Sequence, residues 1–304
     1  MQHTCSDITR LIEQDLQYVS SKPICDLCII RAKDGVHVYR CLYDSYPAVV
    51  KYFENESDRR EILNYKILTR HNIPTIRPLA MGAASLVLED ISKSEEWRLG
   101  IKEDFADIDV AKCLANWYFV FHENGSAAPE LGTLYFEFDS ITKENIEMIM
   151  EKLPEGNELF QFLLSNFDRL RELIFAPNFT TTYNDFYWTN FVVRKDKKAA
   201  MMFDYNLLGK GYRYSDFNNI CSSLSAETGK MFVEEYRRLY LEKHGQSRSA
   251  EEQMEAQVDE VVVPLFAVIC AFGHETFPGW AANSKREILD GTVLKKAKRL
   301  FKCS

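Results

Sequence analysis

The sequence has no run of about 18 apolar residues, the length that a membrane-spanning helix requires. Its first seven residues are polar and lack the apolar centre of a secretory signal peptide. We therefore expect no membrane partner and a cytoplasmic location.

An excess of positive charge is also missing, because 45 Asp and Glu residues outnumber 37 Lys and Arg residues and give a net charge of −8. Proteins whose main ligand is a nucleic acid present a basic surface to the phosphates. We therefore expect no nucleic-acid partner. A cationic small-molecule substrate is compatible with this balance.

Paired cysteines are scarce, although the chain contains eight cysteines. Cys25 and Cys28 form the only close pair, and no second pair completes a zinc site. They fall in an apolar stretch typical of a strand, where residues three apart point to opposite faces. We expect ordinary buried or half-buried thiols in a reducing compartment.

The 304 residues, 46% of them hydrophobic, are enough for two domains or for one two-lobed domain. Strand patterns occupy 24–32 and 36–42, and the Asp34-Gly35 pair between them is a strong hairpin signal. Further strands are predicted at 48–53, 76–80 and 85–88. Apolar residues at helical spacing predict helices at 6–19, 54–69, 107–122, 142–153, 157–175, 214–224, 226–243, 250–271 and 284–301.

Lys51 is the one charged residue in the third predicted strand. It is either a solvent-facing strand residue or the ammonium group that binds nucleotide phosphates. Glu61 lies in the middle of the next predicted helix, and a strand Lys paired with a helix Glu is the pair that active kinases require. Glu56 is a competing partner, but it suits the start of the helix. We therefore favour Glu61.

The segment from Thr181 to Val193 carries Asp185 and, five residues later, Asn190. A second apolar strand then ends in Asp204. In kinase-like phosphoryl transfer, an Asp at the first position accepts the hydroxyl proton, and the Asn and second Asp bind magnesium. Turn and cap formation is the ordinary role of Asp and Asn in loops, so the context is what favours catalysis.

The segment Tyr183-Asn184-Asp185, with Asn190 after four further residues, resembles the catalytic loop of the aminoglycoside phosphotransferase and choline kinase superfamily. That loop has the pattern His-Gly-Asp or His-Asn-Asp, four residues, then Asn. Tyr183 departs from it, since the family usually has a loop-bracing His there. The stretch from Phe203 to Asn219 is also similar to the family, in which Asp216 would brace the catalytic loop.

The resemblance implies an α+β, bilobal protein-kinase-like fold. A small antiparallel-sheet lobe that binds the nucleotide would cover residues 1–91, and a mostly helical lobe with the catalytic loop and acceptor site would cover 92–304. It also implies that the hairpin containing Gly35 covers the phosphates and that backbone near Glu89 and Ile91 binds the adenine. ATP is the expected donor, with GTP as the alternative, and Mg²⁺ is the expected metal.

Aromatic residues follow the catalytic segment and recur near the C-terminus, where the superfamily builds its acceptor pocket. The candidates for contact with a small-molecule hydroxyl acceptor are Trp188, Tyr205, Tyr212, Tyr214, His274 and Trp280. Aromatic residues in such positions also commonly pack in the core, so that alternative stays open.

Two alternatives to a small-molecule kinase are compatible with parts of the sequence. A protein kinase is disfavoured, because His-Arg-Asp and Asp-Phe-Gly are absent, and the one Ala-Pro-Glu, at 128–130, precedes Asp204 instead of following it. A nucleotide-binding pseudokinase acting through protein interaction is supported by Tyr183 and by the glycine-poor hairpin. Against it, every residue type needed for phosphoryl transfer is present. An amine-bearing alcohol is the favoured acceptor, and the pattern leaves the oligomeric state open.

Overall fold

The structure is a computed structural model that describes residues 5–187 and 189–302. Its contacts divide the chain into two compact units. The first unit comprises Met1–Leu131, Tyr183–Leu208 and Asn219–Leu239, and the second comprises Gly132–Thr182, Gly209–Asn218 and Tyr240–Ser304. The lobe boundary between residues 91 and 92 stays a prediction.

The first unit contains a five-stranded antiparallel sheet of β1 (Ile24–Lys33), β2 (Val36–Tyr43), β3 (Tyr46–Phe53), β4 (Pro78–Met81) and β5 (Ser85–Glu89). The strands lie in the order β1-β2-β3-β5-β4. Helix α1 (Cys5–Gln17) buries Ile8, Ile12 and Leu16 in one core with Tyr39 and Cys41 of the sheet. The amphipathic pattern of α1 thus covers one face of the sheet.

The predicted hairpin between β1 and β2 is confirmed. Asp34 and Gly35 have φ values of 52° and 80°, which match a turn with two left-handed residues. A side chain at Gly35 would lie 2.5 Å from Asn55 Nδ2. The left-handed backbone conformation therefore favours glycine here, and a Cβ atom would also require the Asn55 side chain to move.

Cys25 and Cys28 are free thiols, but the expectation that they are buried or half-buried was wrong, because both are exposed. A β-bulge separates them, so that Cys25 pairs with Leu42 and Cys28 with Arg40. Since those partners are two apart on β2, the bulge brings both cysteines to the same face of the sheet. An extra residue in the strand removes the alternation on which the sequence prediction depended.

The helix predicted at 54–69 begins with a short 3₁₀ turn, Glu56–Arg59, and continues as α2 (Arg60–Arg70). It ends where Asn72 adopts a φ of 54° and Pro74 follows. Both residues stop a helix, because Asn tolerates the left-handed conformation and Pro lacks a backbone donor.

The rest of the first unit supports the loops described below. Helix α3 (Ile108–Ser126) is capped by Asp107, whose carboxylate accepts from the backbone N–H groups of Asp109 and Val110. A second sheet contains β6 (Trp97–Leu99), β8 (Phe191–Arg194) and β9 (Ala200–Met202) in the order β6-β8-β9. Helices α7 (Arg213–Cys221) and α8 (Ala226–His244) contribute residues to both units.

The second unit is mostly helical, with the two-stranded pair β7 (Thr180–Thr182) and β10 (Gly209–Gly211). Its helices are α4 (Lys143–Lys152), α5 (Asn157–Ser165), α6 (Phe167–Phe175), α9 (Ser249–Ala271), α10 (Ala282–Leu289) and α11 (Thr292–Leu300). Within residues 5–187 and 189–302, no helix has the length and apolar character needed to cross a membrane.

Two helices predicted as continuous are each broken in the structure. The 157–175 segment is interrupted at Asn166, which leaves helical geometry while its side chain donates to the Phe162 carbonyl at 2.8 Å. The 284–301 segment is interrupted at Gly291, which has a φ of 77°. Apolar periodicity continued across both breaks, so the predictions overlooked the local turn chemistry of Asn and Gly.

Buried charge is concentrated around α9 in the second unit. Arg248 and Glu255 form an ion pair of 2.6 Å with side chains 1% and 2% exposed. Asp259 accepts a hydrogen bond of 2.6 Å from the Ser215 hydroxyl. Burial raises the pKa of Asp259 to about 7 and that of Glu137 to about 8.

These raised pKa values predict that stability falls as the pH rises. The folded chain keeps protons on Asp259 and Glu137 that the unfolded chain releases above ordinary values of 3.8 and 4.5. Their contribution is therefore fully present below those ordinary values and is lost as the pH passes through the folded values near 7 and 8. We expect the unfolding temperature to fall between about pH 5 and pH 8, and Asp259→Asn to flatten that slope.

The control for this prediction is Asp168→Asn, because the Asp168 side chain is 96% exposed in the same unit. Thermal unfolding of the three proteins across the pH series is the measurement. The same slope in Asp259→Asn as in the wild type would remove Asp259 as a source of the pH dependence.

Candidate active site

A cavity of about 520 Å³ lies within the first unit. It is lined by Lys51 on β3, Glu61 on α2, Asp185 and Asn190 between β7 and β8, and Asp204 after β9. These residues are separated by up to 153 positions in the sequence, yet the fold brings all five to one surface. Their chemical roles stay predictions at this point.

Lys51 occupies the centre of the charged groups. Its Nζ atom lies 2.8 Å from Glu61 Oε1 and 2.6 Å from Asp204 Oδ1. Burial acts to lower the pKa of Lys51, but the two carboxylates outweigh it and raise that pKa above its usual value. Lys51 therefore stays protonated, and Glu61 is the partner that the sequence favoured over Glu56.

A second contact holds the helix that carries Glu61. Asn64 is one helical turn further along α2, and its Nδ2 donates to the Tyr205 carbonyl at 2.7 Å. This bond joins α2, which carries Glu61, to Tyr205, the residue after Asp204. It therefore links the two segments whose carboxylates contact Lys51. The sequence analysis missed Asn64. The available signal was a polar side chain three residues after Glu61, on the same helix face.

The spacing of Asp185 and Asn190 corresponds to one closed loop. Asn190 Nδ2 donates to the Asp185 carbonyl and to Asp185 Oδ2, both at 3.3 Å. The Asn190 backbone N–H donates to the Tyr187 carbonyl at 2.9 Å, which closes the turn between them. Burial and, secondarily, the charge of Asp204 raise the pKa of Asp185 to about 6.

Tyr183 braces the segment that carries Asp204. Its side chain is fully buried, and its hydroxyl donates to the Phe203 carbonyl and lies 3.4 Å from the Asp204 carbonyl. The hydroxyl therefore contacts the carbonyls of the two peptide groups that flank the Cα atom of Asp204. A bracing function does not require a His here, because a Tyr hydroxyl reaches the backbone directly.

We expect Tyr183→Phe to lower the kcat of the phosphoryl transfer proposed below by about tenfold, because it removes one buried hydrogen bond that positions Asp204. The Mg²⁺ concentration needed for half-maximal activity should rise, a readout that a loss of stability alone would not change. The control is Tyr43→Phe, since the buried Tyr43 hydroxyl has no hydrogen-bond partner among the described residues. Equal effects of the two substitutions on kcat and on the Mg²⁺ requirement would contradict the bracing role.

Two residues of the site adopt the left-handed backbone conformation. Asn184 has a φ of 62° and Asp204 a φ of 66°. Asn184 Nδ2 also donates to the Leu207 carbonyl at 3.1 Å. Asn and Asp accept this conformation more readily than other non-glycine residues, and such residues concentrate at functional sites.

The residues predicted to bind the rest of the nucleotide belong to the same unit. Among the described residues, the lining of the cavity includes Asp34 but not Gly35, Glu89 or Ile91. Glu89 ends β5, and Ile91 is 6% exposed at the start of a 3₁₀ turn. Their nucleotide contacts stay predictions.

Two of the aromatic acceptor candidates are core residues. Tyr205 and Tyr212 are fully buried, and their hydroxyls donate to the carbonyls of Met202 at 2.5 Å and Ile174 at 2.7 Å. Neither ring has an exposed surface for an acceptor to contact. These two tyrosines therefore pack in the core, the alternative that the sequence left open, and the prediction that they contact the acceptor was wrong.

The remaining aromatic candidates differ in exposure. Tyr214 is half-buried, whereas His274 and Trp280 are exposed, with ring centroids 6.2 Å apart in the second unit. Trp188 lies outside the described residues. Its neighbour Tyr187 is 57% exposed and lines the cavity of the first unit.

The oxygen atoms of the cavity suit a hard divalent cation. Asp185, Asn190 and Asp204 supply carboxylate and amide oxygens, the ligand types that Mg²⁺ prefers. Asn206 also lines the cavity, and its buried Oδ1 atom has no hydrogen-bond partner among the described residues. No group of three His, Cys, Asp or Glu side chains arranged for a metal occurs in the part of the chain that the structure describes. A magnesium ion bound here would therefore need the Asn190 amide as well as the carboxylates.

No protein-family model matches the chain, and no curated protein sequence matches it. Solved structures do match. Choline kinase LicA from Streptococcus pneumoniae gives a TM-score of 0.58 at 15% identity, covering 95% of this chain and 99% of that chain. An ethanolamine kinase from Plasmodium vivax gives 0.57 at 14% identity, covering 90% and 84%. Spectinomycin phosphotransferase APH(9)-Ia, solved with ADP and spectinomycin, gives 0.51 at 12% identity, covering 96% and 98%.

These matches confirm the predicted fold class, an antiparallel sheet in the N-terminal region followed by a mostly helical remainder. The similarity extends over nearly the whole length of each match, which excludes a likeness confined to one motif. The chain therefore has the protein-kinase-like fold of the choline and ethanolamine kinases and the aminoglycoside phosphotransferases.

Proposed function

We propose that the protein transfers the γ-phosphoryl group of a nucleoside triphosphate to a hydroxyl of a small molecule. The observation that carries the proposal is Lys51, which contacts both Glu61 and Asp204 in the cavity that also holds Asp185 and Asn190. A lysine with a purely structural role would need only one carboxylate partner. It would not need the neighbouring loop in which the Asn190 amide donates to Asp185. ATP is the proposed donor, with GTP as the alternative.

Lys51 binds the phosphates of the donor in this proposal. Glu61 fixes the position of the ammonium group, because it is 2% exposed and cannot turn outward to water. A charge that is fixed before the nucleotide binds needs little reorganisation during the reaction. Residues 1–91 are proposed to supply most of the nucleotide contacts.

Asp185 orients the acceptor hydroxyl and takes its proton. As the acceptor oxygen bonds to the γ-phosphorus, the bond to the β–γ bridging oxygen breaks, and the nucleoside diphosphate leaves with that electron pair. A pKa of about 6 keeps Asp185 ionised at neutral pH while leaving it able to accept a proton. Positioning and charge neutralisation supply most of the rate, as in other phosphoryl transfers.

Asn190 and Asp204 are the proposed magnesium ligands. When bound, Mg²⁺ would neutralise charge on the transferred group and on the leaving diphosphate. Lys51 contacts Oδ1 of Asp204, and the Thr189 hydroxyl donates to the amide oxygen of Asn190 at 3.2 Å, so a bound Mg²⁺ would compete with that hydroxyl for the amide oxygen. Tyr183 and Asn64 hold the Asp204 segment in place through backbone hydrogen bonds.

An amine-bearing alcohol is the proposed acceptor. Choline, ethanolamine and spectinomycin, which the similar proteins are named for, all carry an amino or ammonium group beside a hydroxyl. In the second unit, Trp280 is 58% exposed, and an exposed aromatic face attracts a cation by about 0.5–1 kcal/mol. Residues 92–304 are proposed to provide the acceptor contacts.

The test compares amino-alcohols and aminoglycosides with neutral sugars as acceptors at equal concentration, with phosphorylated products detected by mass spectrometry. We expect the highest kcat/KM for an amine-bearing alcohol and a lower value in Trp280→Ala. The matched control is Tyr18→Ala, since Tyr18 is an aromatic residue 84% exposed in the other unit. A neutral sugar as best substrate, with Trp280→Ala at wild-type efficiency, would refute the amine preference and leave the kinase proposal standing.

A pseudokinase acting through protein interaction is the second candidate, and the glycine-poor hairpin favours it. Magnesium-dependent nucleotide turnover with an acceptor distinguishes the two functions. A protein that binds Mg-ATP but phosphorylates no hydroxyl compound in a broad panel would support the pseudokinase.

A further inference from the structure

The register of the first sheet places two more cations at the cavity. Arg31 of β1 pairs with Val38 of β2, and Val38 pairs with Lys51 of β3. Directly paired residues share a face of the sheet, so Arg31 and Lys51 are the two ends of one row. Lys33 pairs with Val36 in the next row of the same face, and all five residues line the cavity.

A β-bulge is the reason that these cations face the cavity. Ile29 pairs with Tyr39, but Arg31 pairs with Val38, so β1 advances by two residues where β2 advances by one. In an unbroken ladder Arg31 would lie opposite His37, on the face that Tyr39 buries in the core beneath α1. The extra residue therefore turns Arg31 and Lys33 to the opposite face, as bulges beside functional sites do.

The two cations are available to a ligand. Arg31 is exposed and has no ion-pair partner among the described residues. Lys33 contacts only Asp34, at 3.6 Å, and the two side chains are 64% and 82% exposed. Lys51, by contrast, already contacts two carboxylates. Strand β1 thus supplies two exposed cations that a polyanionic ligand could bind.

We propose that Arg31 and Lys33 bind the phosphates of the donor nucleotide in place of a glycine-rich loop. A glycine-rich loop uses backbone N–H groups at close approach, and this hairpin has only Gly35 at its turn. The planar guanidinium of Arg31 makes paired hydrogen bonds to phosphate oxygens, and Lys33, whose side chain is 64% exposed, adds a second positive charge. The inference rests on the proposed function and identifies further residues of the same site.

The experiment measures the Kd of three ligands by calorimetry: Mg-ATP, inorganic tripolyphosphate with Mg²⁺, and adenosine. For the double variant Arg31→Ala/Lys33→Ala we expect about tenfold or more weaker binding of ATP and of tripolyphosphate, and unchanged binding of adenosine. Arg31→Lys should recover only part of the loss, because it keeps the charge without the two parallel donors. The control is Lys22→Ala, which removes an exposed lysine paired with Asp44 at 2.9 Å outside the cavity lining.

The outcomes separate this inference from the proposed function. If the wild type binds neither Mg-ATP nor tripolyphosphate, both the proposed function and the inference fail. If the wild type binds Mg-ATP and the double variant binds it equally well, the inference alone is wrong. Thermal unfolding identifies a misfolded double variant, in which case the single variants Arg31→Gln and Lys33→Gln are measured, with the same tenfold criterion applied to Arg31→Gln.

Discussion

Replacing Asp185 with Asn is expected to lower kcat by about 100-fold to 10,000-fold. The amide keeps the shape of the side chain but cannot accept the proton of the acceptor hydroxyl. The contacts of Lys51 with Glu61 and Asp204 do not involve Asp185, so the Kd of Mg-ATP should change little. Steady-state kinetics with the best acceptor and calorimetry with Mg-ATP measure the two quantities.

The control is Asp58→Asn, because Asp58 is a carboxylate of the same cavity that accepts a hydrogen bond from Asn55 at 3.0 Å. It should leave kcat within about twofold of the wild-type value, because this half-buried carboxylate contacts Asn55 and has no role in the proposed proton transfer. An Asp185→Asn variant with near wild-type kcat would show that Asp185 is not the proton acceptor.

Asp204→Asn is expected to weaken Mg-ATP binding by about 100-fold or more, because even indirect partners of metal ligands alter affinity by about 10-fold to 100-fold. Asn tolerates the φ of 66° at this position, so the backbone should be retained. The variant removes the negative charge that a hard cation requires and one of the two carboxylates that contact Lys51.

Asp196→Asn is the matched control for this variant. Asp196 lies in the turn between β8 and β9, at the other end of the hairpin from Asp204, and pairs with Arg194. Nucleotide affinity measured with and without Mg²⁺ should be unchanged in this control. If Asp204→Asn binds Mg-ATP as tightly as the wild type, Asp204 is a turn residue only.

Features that depend on neighbouring residues in the sequence were predictable. The Asp34-Gly35 hairpin, the strand carrying Lys51 and the helix carrying Glu61 all follow from short-range patterns, and the pair that joins them lies ten residues apart. The spacing of Asp185 and Asn190 is also local, because it spans one closed turn. Such features depend on propensity and periodicity, which a single sequence contains.

Features set by tertiary contacts were not predictable. The bulge before Arg31 changes which face a side chain occupies, and no residue type marks it in the sequence. The Asn64 bond to the Tyr205 carbonyl and the Tyr183 bond to the Phe203 carbonyl join segments 141 and 20 residues apart. Backbone acceptors carry no residue identity, so partners of this kind become visible only when the chain is folded.

The most direct test of the central claim follows the γ-phosphate of ATP by phosphorus NMR, with Mg²⁺ and a pool of amine-bearing alcohols. The account predicts that the γ-phosphate signal disappears as equal amounts of ADP and a phosphomonoester form, only with Mg²⁺ and only at a much reduced rate in Asp185→Asn. ATP that stays intact with every acceptor, or that is consumed equally fast by Asp185→Asn, would contradict the account.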